Sequence, residues 1–300
     1  MLLKEPESDA GLPPRSAHKT HTSNSHQQNN SHIFIMTRRL LDLPPELLSK
    51  TLSLLPTQSL LKFSSTSHYA RSLANSNLHK ISLGIHPIRT PSKRESNTTT
   101  DFLIRIPAAR TYDYATLITF HNTLFQSILA RHAETLYTVE ISLWTLTRPI
   151  AEGIAKLFAL RHLSIRIENH FYARAVPRSR VAVERREQSK AWTLLGKKAV
   201  WKERLSSLKI ENSDLDTEQL VELLRGCRRC KELRIVGCNF VGQELWQVLG
   251  RRWEGRDGLR RLSVAECAGC LDARALGAVG GMSGLKVCKA LTKHLLSTGY

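Results

Sequence analysis

Hydrophobic positions along this chain fall into three textures. Residues 1–36 are rich in Ser, Asn, Gln, His, Thr and Pro, with few large apolar side chains. Such a segment buries too little surface to offset the entropy of ordering it, so a disordered polar tail is expected. Met36 stands just before the first patterned segment and is an alternative start for the folded protein. From residue 41 the chain places Leu47, Leu48, Thr51, Leu52 and Leu55 at helical spacing, which makes one broad leucine face. Pro45 suits a first helical turn, Glu46 complements the positive helix end, and Pro56 stops the segment. A second short helix is predicted from Thr57, with Leu60, Leu61 and Phe63 as its apolar residues, and a third from Ser67 to Leu73. Three helices of this size cannot bury a large core alone.

From about residue 110 the spacing repeats. The template L-x-x-L-x-L occurs as Leu136, Val139, Ile141, then Leu160, Leu163, Ile165, and then Leu205, Leu208, Ile210. It returns as Cys230, Leu233, Ile235, as Leu259, Leu262, Val264, and more weakly as Leu285, Cys288, Ala290. Successive starts lie 24, 45, 25, 29 and 26 residues apart. All but one fall at the period of leucine-rich repeats. Helical patterns with proper punctuation lie between the strands. Asp216 and Gln219 resemble a capping box ahead of Leu220, Val221, Leu223 and Leu224, and Gly226 closes that helix. Asp272, Leu276, Val279 and Gly280 repeat the design, and Thr147, Pro149, Ile150, Ile154, Leu157 and Phe158 read the same way. The 45-residue gap holds one repeat plus an insertion, with basic loop residues from Arg174 to Arg186 and a helix containing Trp192, Leu195, Ala199 and Val200. The expected fold class is α/β: three short N-terminal helices, then a right-handed solenoid with parallel strands on its concave face and helices outside.

At Leu43-Pro44-Pro45-Glu46-Leu47-Leu48, with Leu52, Leu55, Pro56, Leu60, Leu61, Ser67, Tyr69, Arg71 and Leu73, the sequence resembles the F-box. Tyr69 stands where that family more often has Trp. The repeats look like the leucine-rich array of many F-box proteins, and the resemblance spans roughly residues 40–80 and 130–290. It implies a non-catalytic adaptor of a Skp-cullin-F-box ubiquitin ligase: the F-box docks on the Skp subunit, and through it on cullin, while the repeats present a protein substrate. The implied adaptor-binding residues are Leu43, Pro44, Leu47, Leu48, Leu52, Leu55, Leu60, Leu61 and Phe63. The competing reading is that these leucines pack onto the first repeats as a cap. Domain boundaries follow as a tail at 1–36, the F-box at 37–85, a linker at 86–110, and a solenoid at 111–300 with its basic insertion near 169–190.

Charge sharpens the question of partners. The chain has 300 residues, 44 Lys+Arg against 26 Asp+Glu, and a net charge of +18. Polyanions are therefore candidate ligands, and a basic scaffold binding nucleic acid is the alternative function. Most of the excess lies in residues 37–100 and 161–204. On the repeat strands the non-core positions are mixed in sign. Glu140, His162, Arg166, Lys209, Glu232, Arg234 and Arg261 are the substrate-binding candidates there, and a phosphate-tracking groove would show an uncompensated stripe instead. An acidic or phosphorylated protein segment is the expected ligand of the repeats and insertion, whose Arg178, Arg180, Arg185 and Arg186 add positive charge.

Other chemistries have weaker support. No glycine-rich phosphate loop, G-x-S-x-G or H-E-x-x-H occurs, so no catalytic residue and no cofactor is expected. Cys227-Arg-Arg-Cys230 and Cys267-Ala-Gly-Cys270 match a zinc spacing, yet Cys230 occupies a strand core position. Cys238 and Cys267 fall five residues beyond Leu233 and Leu262, at the Asn/Cys position of the repeat, where a small buried residue bonds the backbone. His18, His21, His26 and His32 are irregularly spaced and read as part of the solvated tail. No stretch approaches the ~18 apolar residues of a membrane span, and Lys4, Glu5, Glu7 and Asp9 leave no room for a secretory h-region. An intracellular protein, cytoplasmic or nuclear, is expected, with reduced thiols. The array begins a repeat at Leu285 without a recognisable cap, which predicts a shortened array with poorly ordered terminal residues.

Overall fold

Pro45 opens the first helix where the leucine face begins, its missing N–H costing nothing at that position. Helix α1 (Pro45–Ser53) is followed by α2 (Thr57–Ser64) and α3 (His68–Ser76). The Ser67 hydroxyl caps α3 by accepting from the Ala70 N–H at 3.0 Å. Ser49 Oγ donates to Asn77 Oδ1 at 2.6 Å, and Asn77 Nδ2 donates to the Leu73 carbonyl at 2.8 Å, which ties α1 to the end of α3. The computed structural model describes residues 40–87, 102–106, 111–168, 178–268, 277 and 279–291. Residues 1–42 and 43–300 are separate units, and of the first only the turn Leu40–Asp42 is described. The polar tail with its four histidines therefore lies outside the described residues.

Eight parallel strands follow: β1 (Lys80–Pro87), β2 (Phe102–Ile106), β3 (Thr138–Leu143), β4 (His162–Ile167), β5 (Ser207–Glu211), β6 (Glu232–Val236), β7 (Arg261–Ala265) and β8 (Val287–Leu291). They form one sheet in the order β2-β1-β3-β4-β5-β6-β7-β8. Two expected boundaries need correction. The end of the F-box segment is itself the strand β1, and the expected linker 86–110 contributes β2, which pairs with β1 from Leu83↔Phe102 to Pro87↔Ile106. Leu78, Ile81 and Leu83 fit the L-x-x-L-x-L template, but they start 58 residues before Leu136, far beyond the 24–29 residues that separate most of the other starts. A third correction falls at the C-terminus, where residues 287–291 pair with β7 from Arg261↔Val287 to Ala265↔Leu291 rather than lying unordered. Residues 292–300 are outside the described part.

The helices α4 (Tyr114–Arg131), α5 (Arg148–Ala155), α6 (Val181–Lys198) and α7 (Thr217–Leu224) pack side by side in that order, and a short α8 (Glu244–Gln247) runs into the π-helical turn Val248–Arg252. Asp216 and Gln219 close the expected capping box: the Gln219 N–H donates to Asp216 Oδ1 at 2.8 Å and the Asp216 N–H to Gln219 Oε1 at 3.1 Å. Asp272 and Leu276, placed in a similar helix by sequence, lie outside the described residues. The 45-residue gap resolves into one repeat with a long helix, since β4 and β5 pair directly from His162↔Ser207. Residues 178–180 form a 3-10 turn leading into α6, so this part of the insertion is helical and not loop.

Alternate strand residues such as Val139, Ile141, Leu163, Ile165, Leu208, Ile210, Leu233 and Ile235 are buried with Ile150, Ile154, Trp192, Leu195, Leu220 and Leu224 from the helices. One apolar cluster runs from Leu48 and Leu52 of α1 through Ile81 and Leu83 of β1 to Met282. Tryptophan indoles stitch neighbouring repeats: Trp144 Nε1 donates to the Ile85 carbonyl at 2.8 Å, Trp201 Nε1 to Ile154 at 2.9 Å, and Trp253 Nε1 to Leu224 at 3.0 Å. His121 of α4 is fully buried and stacks on Trp144, with ring centroids 5.2 Å apart. Burial pushes its imidazole down to about 4.

The chain turns off β5, β6 and β7 in the same way each time. Asn212, Gly237 and Glu266 directly follow those strands and have φ of 56°, 67° and 54°. A Cβ added at Gly237 would meet Asn212 Oδ1 at 2.4 Å, so glycine suits both the conformation and the space. The next residues are Ser213, Cys238 and Cys267. Cys238 Sγ donates to the Val236 carbonyl at 3.6 Å, and Cys267 Sγ to the Ala265 carbonyl at 3.3 Å, the backbone-bonding role read from their repeat position.

Candidate protein-docking surfaces

The leucine face of the N-terminal helices divides in two. Leu48, Leu52 and Leu60 are buried, while Leu55 and Phe63 are half-buried against the same core. These five were grouped with the adaptor-binding residues. The buried three belong to the core that runs on into the strands and cannot reach a partner without unfolding, while Leu55 and Phe63 pack against that core and keep part of their surface in solvent. Thr57 Oγ1 reinforces that packing by donating to the Lys80 carbonyl at 3.4 Å. Leu43, Pro44, Leu47 and Leu61 remain exposed. Leu54, which sequence reasoning passed over in favour of Leu55, is 79% exposed, and Tyr69 is also exposed. Leu47 and Leu54 lie seven residues apart, two helical turns, and so share one face of α1. The run Leu52-Ser53-Leu54-Leu55 offers two adjacent leucines, of which Leu55 packs against the core and Leu54 stays in solvent.

A second surface is the open face of the sheet. Strand register aligns Thr138, His162, Ser207, Glu232 and Arg261 in one row, Glu140, Ser164, Lys209, Arg234 and Ser263 in the next, and Ser142, Arg166, Glu211, Val236 and Ala265 in a third. All seven substrate-binding candidates therefore share one face. Lys209 lies 3.7 Å from Glu232, Arg234 3.0 Å from Glu211, Arg166 2.9 Å from Glu168 and Lys80 4.0 Å from Glu140. Ser207 Oγ also donates to Glu232 Oε2 at 3.0 Å. Burial holds the His162 imidazole below its ordinary value, and Lys209 and Arg161 push it the same way. Lys80 and Glu168 were missed by sequence reasoning. Glu168 is buried just past the end of β4, where it also accepts from Ser142 Oγ at 3.0 Å. Of the five cations described on this face, all but Arg261 have a carboxylate within 4.0 Å, unlike a phosphate-tracking groove.

The described arginines of the insertion are partly engaged by the fold. Arg180 sits 5.1 Å over the Tyr114 ring, Tyr114 donates to Glu184, and Arg185 lies 3.7 Å from Asp214, while Arg186 is exposed. Cys227, Cys230 and Cys238 are buried, and burial pushes the Cys227 and Cys230 thiols up to about 12. Cys270 lies outside the described residues, and among those described no group of three or more His, Cys, Asp or Glu side chains could hold a metal. Among the described residues no helix is long and apolar enough to cross a membrane.

The F-box domain model matches residues 40–82, the segment that contains α1 to α3 and the first residues of β1. The chain thus carries an F-box, a helical module that leads into a parallel sheet with helices on its other side, an architecture consistent with a leucine-rich-repeat solenoid. No curated protein matches the chain. F-box proteins are generally non-catalytic adaptors, and an F-box supports docking on a Skp-type subunit of a cullin ligase.

Proposed function

We propose that this chain is a substrate-recognition adaptor of a Skp-cullin-F-box ubiquitin ligase. Its F-box docks on the Skp-type subunit through Leu43, Pro44, Leu47, Leu54 and Leu61, and its repeat sheet presents a bound protein to the ubiquitin-carrying enzyme. The observation that carries this reading is the F-box match at residues 40–82, in which Leu47, Leu54 and Leu61 stay in solvent while Leu48, Leu52 and Leu60 join the core. Exposed leucines on one helical face suit a hydrophobic groove on a partner. An adaptor of this kind accelerates transfer by raising effective concentration and fixing orientation, with no chemistry of its own. Co-purification with a purified Skp-type subunit tests it. The wild-type chain is expected to form a stoichiometric complex and Leu47→Asp with Leu54→Asp to lose it, with circular dichroism unchanged. Unaltered affinity in a folded double variant would overturn the assignment.

A further inference from the structure

A basic cleft lies along the edge of the sheet at the N-terminal ends of the strands, away from the open face. The residue just before each strand prolongs the ladder: the Arg161 N–H donates to the Tyr137 carbonyl, Ser206 to Arg161, Lys231 to Ser206, Arg260 to Lys231 and Lys286 to Arg260. Four of these five rim residues downstream of Tyr137 are cationic. Arg204 and Arg229, from the loops that precede β5 and β6, complete the wall of a cleft of about 790 Å³. All six cationic side chains are exposed, and none has an ion-pair partner among the described residues. Arg204 is held in place, its guanidinium 4.1 Å over the Phe158 ring and donating to the Phe158 carbonyl at 2.9 Å. The one carboxylate in the lining, Asp257, lies 3.4 Å from Arg256.

The contrast with the open sheet face sets the chemistry. There, four of the five described cations are matched by carboxylates; here six converge on one cleft with a single, already engaged carboxylate. Strands are spaced by roughly 4.8 Å, so the rim from Arg161 to Lys286 spans roughly 19 Å, the length of about six extended residues. To neutralise this wall, a carboxylate peptide would need an acidic side chain at nearly every position. Three or four phosphoserines suffice, at about −1.5 to −2 each. Four of the six cations are arginines, whose planar fork matches phosphate oxygens in two-point contact. None of the lining residues is aromatic, so the cleft has no platform on which bases would stack.

We propose that this rim cleft binds a multiply phosphorylated segment of a protein, the substrate class of the ligase; its role as substrate rests on the adaptor reading above. The test is fluorescence anisotropy at about 0.15 M salt with the full chain and a labelled Gly/Ser peptide carrying two phosphoserines three residues apart, roughly a 10 Å span. Lys231→Glu with Arg260→Glu is expected to weaken binding roughly 30-fold or more, through two lost charge-assisted contacts. Arg148→Glu with Lys190→Glu makes the same change in net charge on exposed residues elsewhere, and it is expected to cost less than about threefold by screening. Both pairs are exposed, and circular dichroism confirms folding. The unphosphorylated peptide and a single-stranded oligonucleotide of equal charge are expected to bind at least ~10-fold more weakly. Equal losses in the two variants, no loss in the first, or oligonucleotide binding as tight as the phosphopeptide would overturn the proposal. Adaptor co-purification on the same preparations separates the readings: its failure with peptide binding retained overturns only the ligase assignment.

Discussion

Leu47 and Leu48 are neighbours in sequence with opposite fates, and truncating each to alanine separates docking from folding. Leu47 is 53% exposed, so about half of its side-chain surface is still available to a partner. Full burial of a leucine contributes about 1.5–3 kcal/mol, and half of that, about 0.8–1.6 kcal/mol, corresponds to ~4–15-fold in adaptor affinity. Leu48 is 0% exposed and belongs to the core shared with the sheet. Leu48→Ala should therefore lower stability by about 2–5 kcal/mol, or roughly 4–20 °C in Tm for a unit of this size. Once folded, Leu48→Ala should bind the adaptor with near wild-type affinity. Calorimetric titration of the Skp-type subunit and thermal unfolding, run on both variants, give the two numbers. If Leu48→Ala loses affinity as much as Leu47→Ala while its Tm is unchanged, the division of the leucine face is wrong.

Three further outcomes are expected. His121 binds no proton when folded until about pH 4, whereas unfolded it titrates near 6.5. Its contribution is therefore complete above about pH 6.5 and falls by up to about 3 kcal/mol as pH drops to 4; His121→Gln should flatten the dependence of Tm on pH across that window, and an unchanged slope would exclude His121 as the source. Gly237→Ala forces a side chain into left-handed backbone at φ 67° and against Asn212, and should cost about 1–3 kcal/mol in urea unfolding, against almost nothing for Gly277→Ala, which has no atom within 4 Å of the new Cβ. Cys267 is only partly buried and its thiol is lowered by its contact with the Cys238 side chain, so among Cys227, Cys230, Cys238 and Cys267 it should be the first modified by a thiol reagent, with Cys227 and Cys230 protected until unfolding; peptide mapping by mass spectrometry reads the order.

The repeats were legible because two independent signals coincide in them. Strand positions such as Leu208 and Ile210 recur at the period of the array, and caps such as Asp216 with Gln219 mark the helices between. The first two strands carried only one signal. Leu78, Ile81 and Leu83 fit the template, but the next match starts 58 residues later and the sequence from 88 to 101 carries no apolar helical stripe, so that segment reads as the end of one domain and a linker. The leucine face was legible as a stripe, and its division was not. Periodicity gives an angle around a helix axis, whereas the choice between Leu54 and Leu55 depends on which stripe meets the core shared by the helices and strands. The basic rim is similar. Arg161, Lys231, Arg260 and Lys286 hold one position per repeat, yet Arg204 and Arg229 join them only once the register is known.

The F-box and the sheet have no boundary between them. Asn77 ties α3 to α1, the chain enters β1 at Lys80, three residues further on, and the apolar cluster continues from Leu52 into Ile81 without interruption. A joint built this way has no hinge, so whatever grips α1 also fixes the heading of every strand behind it. Distance from the docking helix is then counted in strands, roughly 4.8 Å each. From β1 to β8 there are six such steps, a ruler roughly 29 Å long. A ligand that shifts by one repeat along the sheet moves by one graduation, and lengthening or shortening the array by a repeat would change the reach of the molecule without touching the module that anchors it.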